Sequence, residues 1–155
     1  MSLTKKILLG LLVVFIAIQF IRPEKNVSAA PTPNDLFAHY KAPDSIKQLI
    51  KTACFDCHSN NTVYPWYAEI QPVAWWLNDH IQEGKKELNF SEFATYEPKK
   101  ADHKMEEVIE MVKEKEMPLE SYTLIHSDAR LTDDQRKAVT TWAAEVRKEI
   151  DPDMK

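Results

Sequence analysis

Cys54-Phe55-Asp56-Cys57-His58 is the most informative pentapeptide in this chain, and it contains both of the cysteines among the 155 residues. Upstream of it, apolar residues recur at i, i+3, i+4 and i+7 from Ile46 to Ala53. This pattern predicts a helix that opens with capping residues at 43–45 and runs into Cys54. Downstream, the polar residues 59–62 predict a turn. The motif therefore stands at the end of an amphipathic helix.

Two cysteines three residues apart, followed at once by histidine, form the attachment pattern of c-type haem. Thiols near one helix turn can reach the two vinyl groups on one side of a haem, and the next residue presents an imidazole to the iron. Three alternatives compete with this interpretation. A disulfide would close a short loop and remove little chain entropy, a thioredoxin-like pair expects a βαβ context, and zinc lacks a fourth ligand at finger spacing.

The composition excludes several other functions. Only Gly10 and Gly84 are glycines, so neither a phosphate-cradling loop nor a dinucleotide fingerprint can be built. Few glycines and nine prolines also argue against a hairpin-rich β fold. The formal net charge of −4 offers no basic excess for nucleic acid. The length fits one domain.

The rest of the chain is predicted to be helical, and no segment alternates long enough to predict a strand. A second helix begins at Pro72, and a third spans about 102–116. A last helix begins at Thr132, with Gln135 completing a capping box. Residues 119–131 are predicted to be a loop. The expected fold is all-α, with four to five helices in a domain at 36–150 and a tail at 151–155.

The N-terminus predicts a membrane segment. Lys5 and Lys6 precede an apolar run, and the 19 residues at 3–21 would give about 28 Å of helix. The expected organisation is an anchor at 1–25 and a linker at 26–35, and the flanking lysines place the domain outside the cytoplasm. This predicts a bacterial periplasmic domain held at the inner membrane. The alternative is a signal peptide cleaved near the small residues at 27–30, which leaves a soluble periplasmic protein.

A sixth iron ligand would separate the possible functions. Met117 has the most favourable position, because it follows a helix and Pro118 prevents that helix from continuing. His80, on the apolar face of the second helix, and His126, in the loop before the last helix, are the alternatives. The other candidates are expected to be solvated or to pack in the core: His39, His103, Met105 and Met111.

Residues 34–148 resemble the bacterial haem-binding domain family of c-type cytochromes. The resemblance implies one covalent haem c on Cys54 and Cys57, with its iron on His58 and, by similarity to cytochromes c, on Met117. It also implies a cytochrome c-like arrangement in which the terminal helix, with Trp142, crosses the helix before the motif. The aromatic insertion at 64–100 departs from the simplest cytochromes c. The segments that carry the resemblance are 54–59, Tyr64-Pro65-Trp66-Tyr67, Leu88-Asn89-Phe90-Ser91-Glu92-Phe93, Glu116-Met117-Pro118-Leu119 with Tyr122, and 124–131.

The first hypothesis for function is one-electron transfer, which needs no catalytic residue and is not an enzymatic activity. Four of the 20 basic residues but only one of the 24 acidic ones lie in 1–25, so the domain itself is acidic. This favours redox partners with basic surfaces. A Trp N–H or Arg130 is a candidate donor to a haem propionate.

The alternative is a haem-based gas or redox sensor, or a peroxide-reactive haem protein, with an open or displaceable sixth site. A third possibility is a stability module for larger partners in which the haem acts as a structural staple.

Overall fold

The computed structural model describes residues 2–28 and 32–151, and helix is the regular secondary structure of this part of the chain, as predicted. It contains eight α-helices and three short 3-10 helices but no strand, only an isolated bridge between Val27 and Asn61. The α-helices are α1 (Leu3–Ile18), α2 (Leu36–His39), α3 (Asp44–Ala53), α4 (Phe55–His58), α5 (Val73–Glu87), α6 (Pro98–Lys113), α7 (Glu120–Thr123) and α8 (Asp133–Ile150); the 3-10 helices are Trp66–Glu69, Phe90–Thr95 and Ser127–Ala129.

The core lies where α6 and α8 pack together and α3 packs against α8. Thr132 caps α8 with the predicted capping box, since its hydroxyl accepts from Gln135 N and the Gln135 side chain accepts from Thr132 N. The apolar faces of these helices bury Ile50, Met105 and Trp142 in one cluster. Burial of these faces supplies the hydrophobic stabilisation that orders the domain.

The boundaries differ from expectation in two places. The predicted third helix is α6. It begins at Pro98 rather than Asp102, because proline suits the first helical turn, and it ends at Lys113. Lys115 just beyond it has a φ of 64° in the left-handed region. The predicted loop at 119–131 contains α7 and a 3-10 helix. The number of helices also exceeds four to five, because short helices such as α2, α4 and α7 carry too few residues for a periodic pattern.

The N-terminal helix α1 is exposed along its length and buries no residue. Its 16 residues correspond to about 24 Å of helix, whereas a bilayer core is about 30 Å thick. The membrane-length helix expected over 3–21 is not found: within 2–28 and 32–151, no helix is both long and apolar enough to cross a bilayer.

The segment after α1, residues 19–28, returns to the domain and is called the strap below. Asn26 is buried, and its Nδ2 donates to Ser59 O and to Thr62 Oγ1, each at 2.9 Å. The phenol of Tyr64 accepts from Asn26 N at 2.7 Å. Part of the expected linker at 26–35 is therefore packed into the fold. The small residues proposed for cleavage lie partly outside the described residues, as do Pro31 and tail residues 152–155.

Candidate functional site

The Cys-x-x-Cys-His motif forms the short helix α4, which packs against α5. This close approach requires Gly84, because a Cβ added there would lie 2.7 Å from Cys57 O. Cys54 and Cys57 are both free thiols, so the disulfide alternative is not realised. Burial raises the pKa of Cys54 to about 12 and that of Cys57 to about 11. Neither is the low-pKa thiolate that a thioredoxin-like redox pair uses.

His58 is fixed by a backbone acceptor. Its Nδ1 lies 3.0 Å from Leu88 O, at the end of α5, so Nδ1 carries the proton that it donates there. Burial lowers the pKa of His58, against the opposing effect of the Leu88 and Gly84 backbone. A neutral imidazole that donates from Nδ1 presents Nε2 as its coordinating atom. This is the form of the imidazole in which Nε2 can coordinate a metal ion.

Two cavities, of about 400 and 350 Å³, adjoin the motif. The larger is bounded mainly by apolar side chains of α3, α6 and α8, among them Val108, Val139 and Trp142. The smaller lies toward α5 and Tyr122. The cavities share five residues: Ala53, Cys54, His58, Glu87 and Met117. The structure thus places a thiol, the imidazole and the Met117 thioether around one cleft.

The backbone of Met117 is held by α8. The Arg136 Nη1 donates to Met117 O at 2.7 Å and to Val112 O at 2.9 Å. The Met117 N–H itself donates to Met111 O at 3.1 Å. These bonds tie the turn after α6 to α8 and keep the half-buried Met117 beside the cleft. Met117 and His58 reach the same cleft from different parts of the chain.

A family model described as a haem-binding domain matches residues 13–145, which is most of the chain. The chain belongs to the haem-binding domain family. No curated protein and no solved structure matches it. The match includes the last six residues of α1 and the whole strap, so it begins earlier than the domain boundary expected at residue 36.

The residues of the cleft fit a haem. Its larger cavity is mainly apolar, as the macrocycle requires, and its wall carries Cys54 and His58. Cys57 lies on the wall of the adjoining cavity. In the part of the chain that the structure describes, no three His, Cys, Asp or Glu side chains lie together in a way that could hold a metal ion.

The alternative histidine ligands differ in position. His80 is half-buried and lines the smaller cavity; its Nδ1 lies 2.9 Å from Trp76 O, and its ring contacts that of Trp76. His126 lines neither cavity. Its ring stacks on Tyr122 at 4.3 Å, and its Nε2 lies 2.5 Å from the Tyr67 hydroxyl. The cleft therefore includes His80, whereas aromatic neighbours engage His126.

The remaining candidates include one surprise. Met105 is fully buried in the core, and His39 is exposed, both as expected. His103 is exposed beside Glu106 and Glu107, although it also lines the larger cavity. Met111, expected to face solvent, is half-buried on the wall of the larger cavity. The apolar face of α6 is therefore wider than the apolar stripe that its sequence predicts.

The sequence did not identify Leu88, Arg136 and Lys104 as parts of the site. Lys104 lines the larger cavity with its side chain only 12% exposed and pairs with Glu107 at 2.7 Å. Arg130, the sequence candidate for a propionate, instead donates to Thr123 O and lines neither cavity. A basic residue within the apolar stripe of α6 is the signal that could have revealed Lys104.

Proposed function

We propose that this haem-binding domain is a c-type cytochrome that transfers single electrons. Thioether bonds to Cys54 and Cys57 would hold one haem c, with His58 as the proximal ligand to its iron. The free thiols beside an apolar cavity and the Nδ1–H of His58, already donated to Leu88 O, support this attachment. The packing of α3 against α8 supports the cytochrome c-like arrangement.

The observation that carries electron transfer is the position of Met117, which lines both cavities together with His58. Haem iron with histidine and methionine ligands cycles between ferric and ferrous states without an open site for substrate, and at a higher potential than with two histidines. Arg136 holds the Met117 backbone at the cleft. The Leu88 carbonyl fixes the imidazole of His58, which is the other ligand. The protein's role is to orient both ligands and exclude water.

The test uses the full chain, matured with a haem-attachment system in cells. We expect a haem that stays bound in denaturant, and a six-coordinate spectrum that does not change with CO. Met117→Ala should expose the iron and allow CO to bind. Met111→Ala is the matched control, because it removes a second thioether from the larger cavity and should leave the spectrum unchanged.

Other outcomes would favour other assignments. CO binding by the unmodified protein would contradict electron transfer and favour the sensor or peroxide-reactive alternative. A Met117→Ala variant that stays silent to CO would remove Met117 as the ligand, and His80→Ala would then be tested, because His80 lines the smaller cavity. Loss of haem in denaturant would contradict covalent attachment.

For localisation, the proposal is an exported domain whose apolar α1 attaches it to the outer face of the inner membrane. The buried Asn26 supports retention of this segment, because cleavage near 27–30 would remove residues before the cut that contact Ser59, Tyr64 and Gln71. Intact mass spectrometry of protein from membranes measures this. A mass that corresponds to a chain beginning after residue 28 would contradict retention and leave a soluble periplasmic domain.

The acidic surface supports redox partners with basic surfaces. Electron exchange with a basic partner should slow as ionic strength rises, because salt screens the attraction that steers association. A rate independent of salt would contradict this choice of partner.

A further inference from the structure

The exposed apolar side chains of this molecule are unevenly distributed along the chain. Among the described residues, the large apolar side chains exposed outside α1 all fall within 20–27, 63–76 and 124–125. The outer faces of α3, α6 and α8 contribute none of them. Large exposed apolar patches on a soluble domain mark interaction surfaces. The surface formed by these stretches is therefore different from the rest of the described surface.

Direct contacts join part of this surface to the strap. Gln71 N donates to Gln19 Oε1 at 2.9 Å, and Gln71 Nε2 donates to Ile21 O at 2.9 Å. The indole of Trp75 donates to the same carbonyl at 2.9 Å, and Arg22 pairs with Glu69. Residues 69–75 thus lie against the point where α1 ends.

Five exposed apolar side chains surround these contacts, and we call them the collar: Phe20, Ile21, Ile70, Val73 and Trp76. Phe20 is 84% exposed and Trp76 is 48% exposed. Their neighbours Gln71 and Ala74 are buried, so the backbone of the collar is held by the domain while these side chains project outward. The collar continues the apolar surface of α1 onto the haem domain.

We infer that the collar contacts a lipid surface and fixes the orientation of the haem domain on the membrane. This rests on the proposed attachment of α1 but goes beyond it, because a helical tether alone leaves the domain free to tumble. Tryptophan at the end of an apolar helix is typical of membrane–water interfaces.

The charges favour lipid over a second copy of this chain. Lys5 and Lys6 lie in the first turn of α1, and Arg22 and Lys25, which both pair with Glu69, follow its other end. These cations suit anionic headgroups, whereas two parallel copies of α1 would place like charges side by side. From Ile7 to Ile18 the helix is apolar around its whole circumference, which fits lipid better than a groove that covers one face.

The orientation would also set the distance of the haem cleft from the lipid surface. Helix α5 begins in the collar at Val73 and meets the haem motif at Gly84. These eleven steps span about 16 Å of helix. The motif would therefore be held within about one α5 length of the lipid surface, where it meets partners in or on the same membrane.

Site-specific photo-crosslinking of the full haem-loaded chain tests this. A benzophenone amino acid replaces Trp76 or, as a second test position, Val73, and the protein is placed in vesicles of phosphatidylethanolamine and phosphatidylglycerol. Phe20, beside α1, is the position that reports attachment, and exposed Thr141 on α8 is the negative control. Mass spectrometry then measures the fraction of protein joined to phospholipid.

We expect lipid adducts at positions 20, 73 and 76 and none above background at 141. Adducts at 20 but not at 73 or 76 would overturn the collar contact and leave the attachment standing. Absence of adducts at every position would overturn the attachment and the collar together. Equal adducts at all four positions would show a domain without fixed orientation, which also overturns the inference. Adducts joined to a second chain at position 76 would show that the collar is a protein interface.

Discussion

The two walls of the haem cleft are held together by different forces. One wall, made by the motif, α5 and residues 88–92, is a network of hydrogen bonds: His58 with Leu88, Asn89 with Asn60, and Asn60 with Glu92. We call it the polar wall. The other, the apolar wall, is made by α6 and α8, which bury the side chains Met105, Val112, Val139, Trp142 and Val146.

This difference separates the two axial ligand candidates. The imidazole of His58 is itself hydrogen-bonded, so its orientation is set directly. Met117 is held through its backbone, by Arg136 and Met111 O. A thioether also has only weak hydrogen-bonding capacity, so packing must place its sulfur. We therefore expect mutations to disturb His58 by disrupting the close fit of the motif against α5. We expect them to disturb Met117 by loosening the turn after α6.

The largest expected effect comes from Gly84→Ala on the polar wall. The new Cβ would meet the backbone of Cys57, which cannot move without displacing the motif. We expect a loss of about 3 kcal/mol in the free energy of unfolding, despite the better helix propensity of alanine. Urea denaturation followed by circular dichroism measures it. Gly10→Ala is the matched control, because nothing lies within 4 Å of its added Cβ. Equal stabilities of the two variants would contradict the close fit.

Asn26→Ala tests whether the strap belongs to the polar wall. The change removes bonds to Ser59 O and Thr62 Oγ1 and leaves Lys85 Nζ without its Asn26 acceptor. Because Ser59 is fully buried, we expect a loss of about 2 kcal/mol. Thermal unfolding of the haem-loaded protein measures it, with exposed Gln82→Ala as control. No change in either variant would mean that the strap adds nothing to the domain.

Arg136→Ala tests whether Arg136 holds the Met117 backbone at the cleft. Losing the bonds to Met117 O and Val112 O should cost about 1.5 kcal/mol of stability. The turn would loosen, so we also expect a fraction of the ferrous protein to bind CO, and Arg136→Lys to restore part of the silent state. Spectra under CO measure that fraction, with exposed Lys137→Ala as control. A variant that loses stability yet stays silent to CO would show that Arg136 does not position Met117.

The smallest effect concerns the ion pairs of Glu69 with Lys25 and Arg22. Hydrogen bonds from Lys25 and then Arg22 lower the pKa of Glu69. Its contribution to stability is therefore present above the ordinary glutamate pKa of about 4.3 and is lost as pH falls through the lower folded value. The Tm difference between the unmodified protein and Glu69→Gln should shrink across that range and with added salt. Glu24→Gln is the exposed control; a difference independent of pH would contradict the pairing.

The starts of three of the long helices were predictable. The helices α3, α5 and α8 begin at or within one residue of their predicted starts because the residues that mark those starts lie in the local sequence: Pro43, Pro72 and the Thr132 capping box. The predicted third helix, which is α6, was found, but both of its ends were misplaced. It begins earlier, at Pro98, and it ends earlier, before Lys115 with its left-handed backbone. Met111 was assigned to solvent because a half-buried position at the margin of an apolar stripe carries no signal of its own.

The polar contacts around the cleft could not be predicted in the same way. The carbonyl of Leu88 has no side-chain identity, so no sequence pattern marks it as the partner of His58. Arg136 is indistinguishable in sequence from other bases on α8. Asn26 meets Ser59 across 33 positions of the chain, and no local propensity encodes such a bond.

The sequence by itself determined the cofactor class and the helical fold. Cysteine spacing and apolar periodicity are local properties, and their chemistry follows from neighbours within a few residues. Only the tertiary structure decided what surrounds the motif: the approach of α5 that Gly84 permits, the cleft that joins His58 to Met117, and the return of the strap to Gln71. These depend on distances between segments far apart in the chain. Such distances are fixed when the helices pack, and no single segment encodes them.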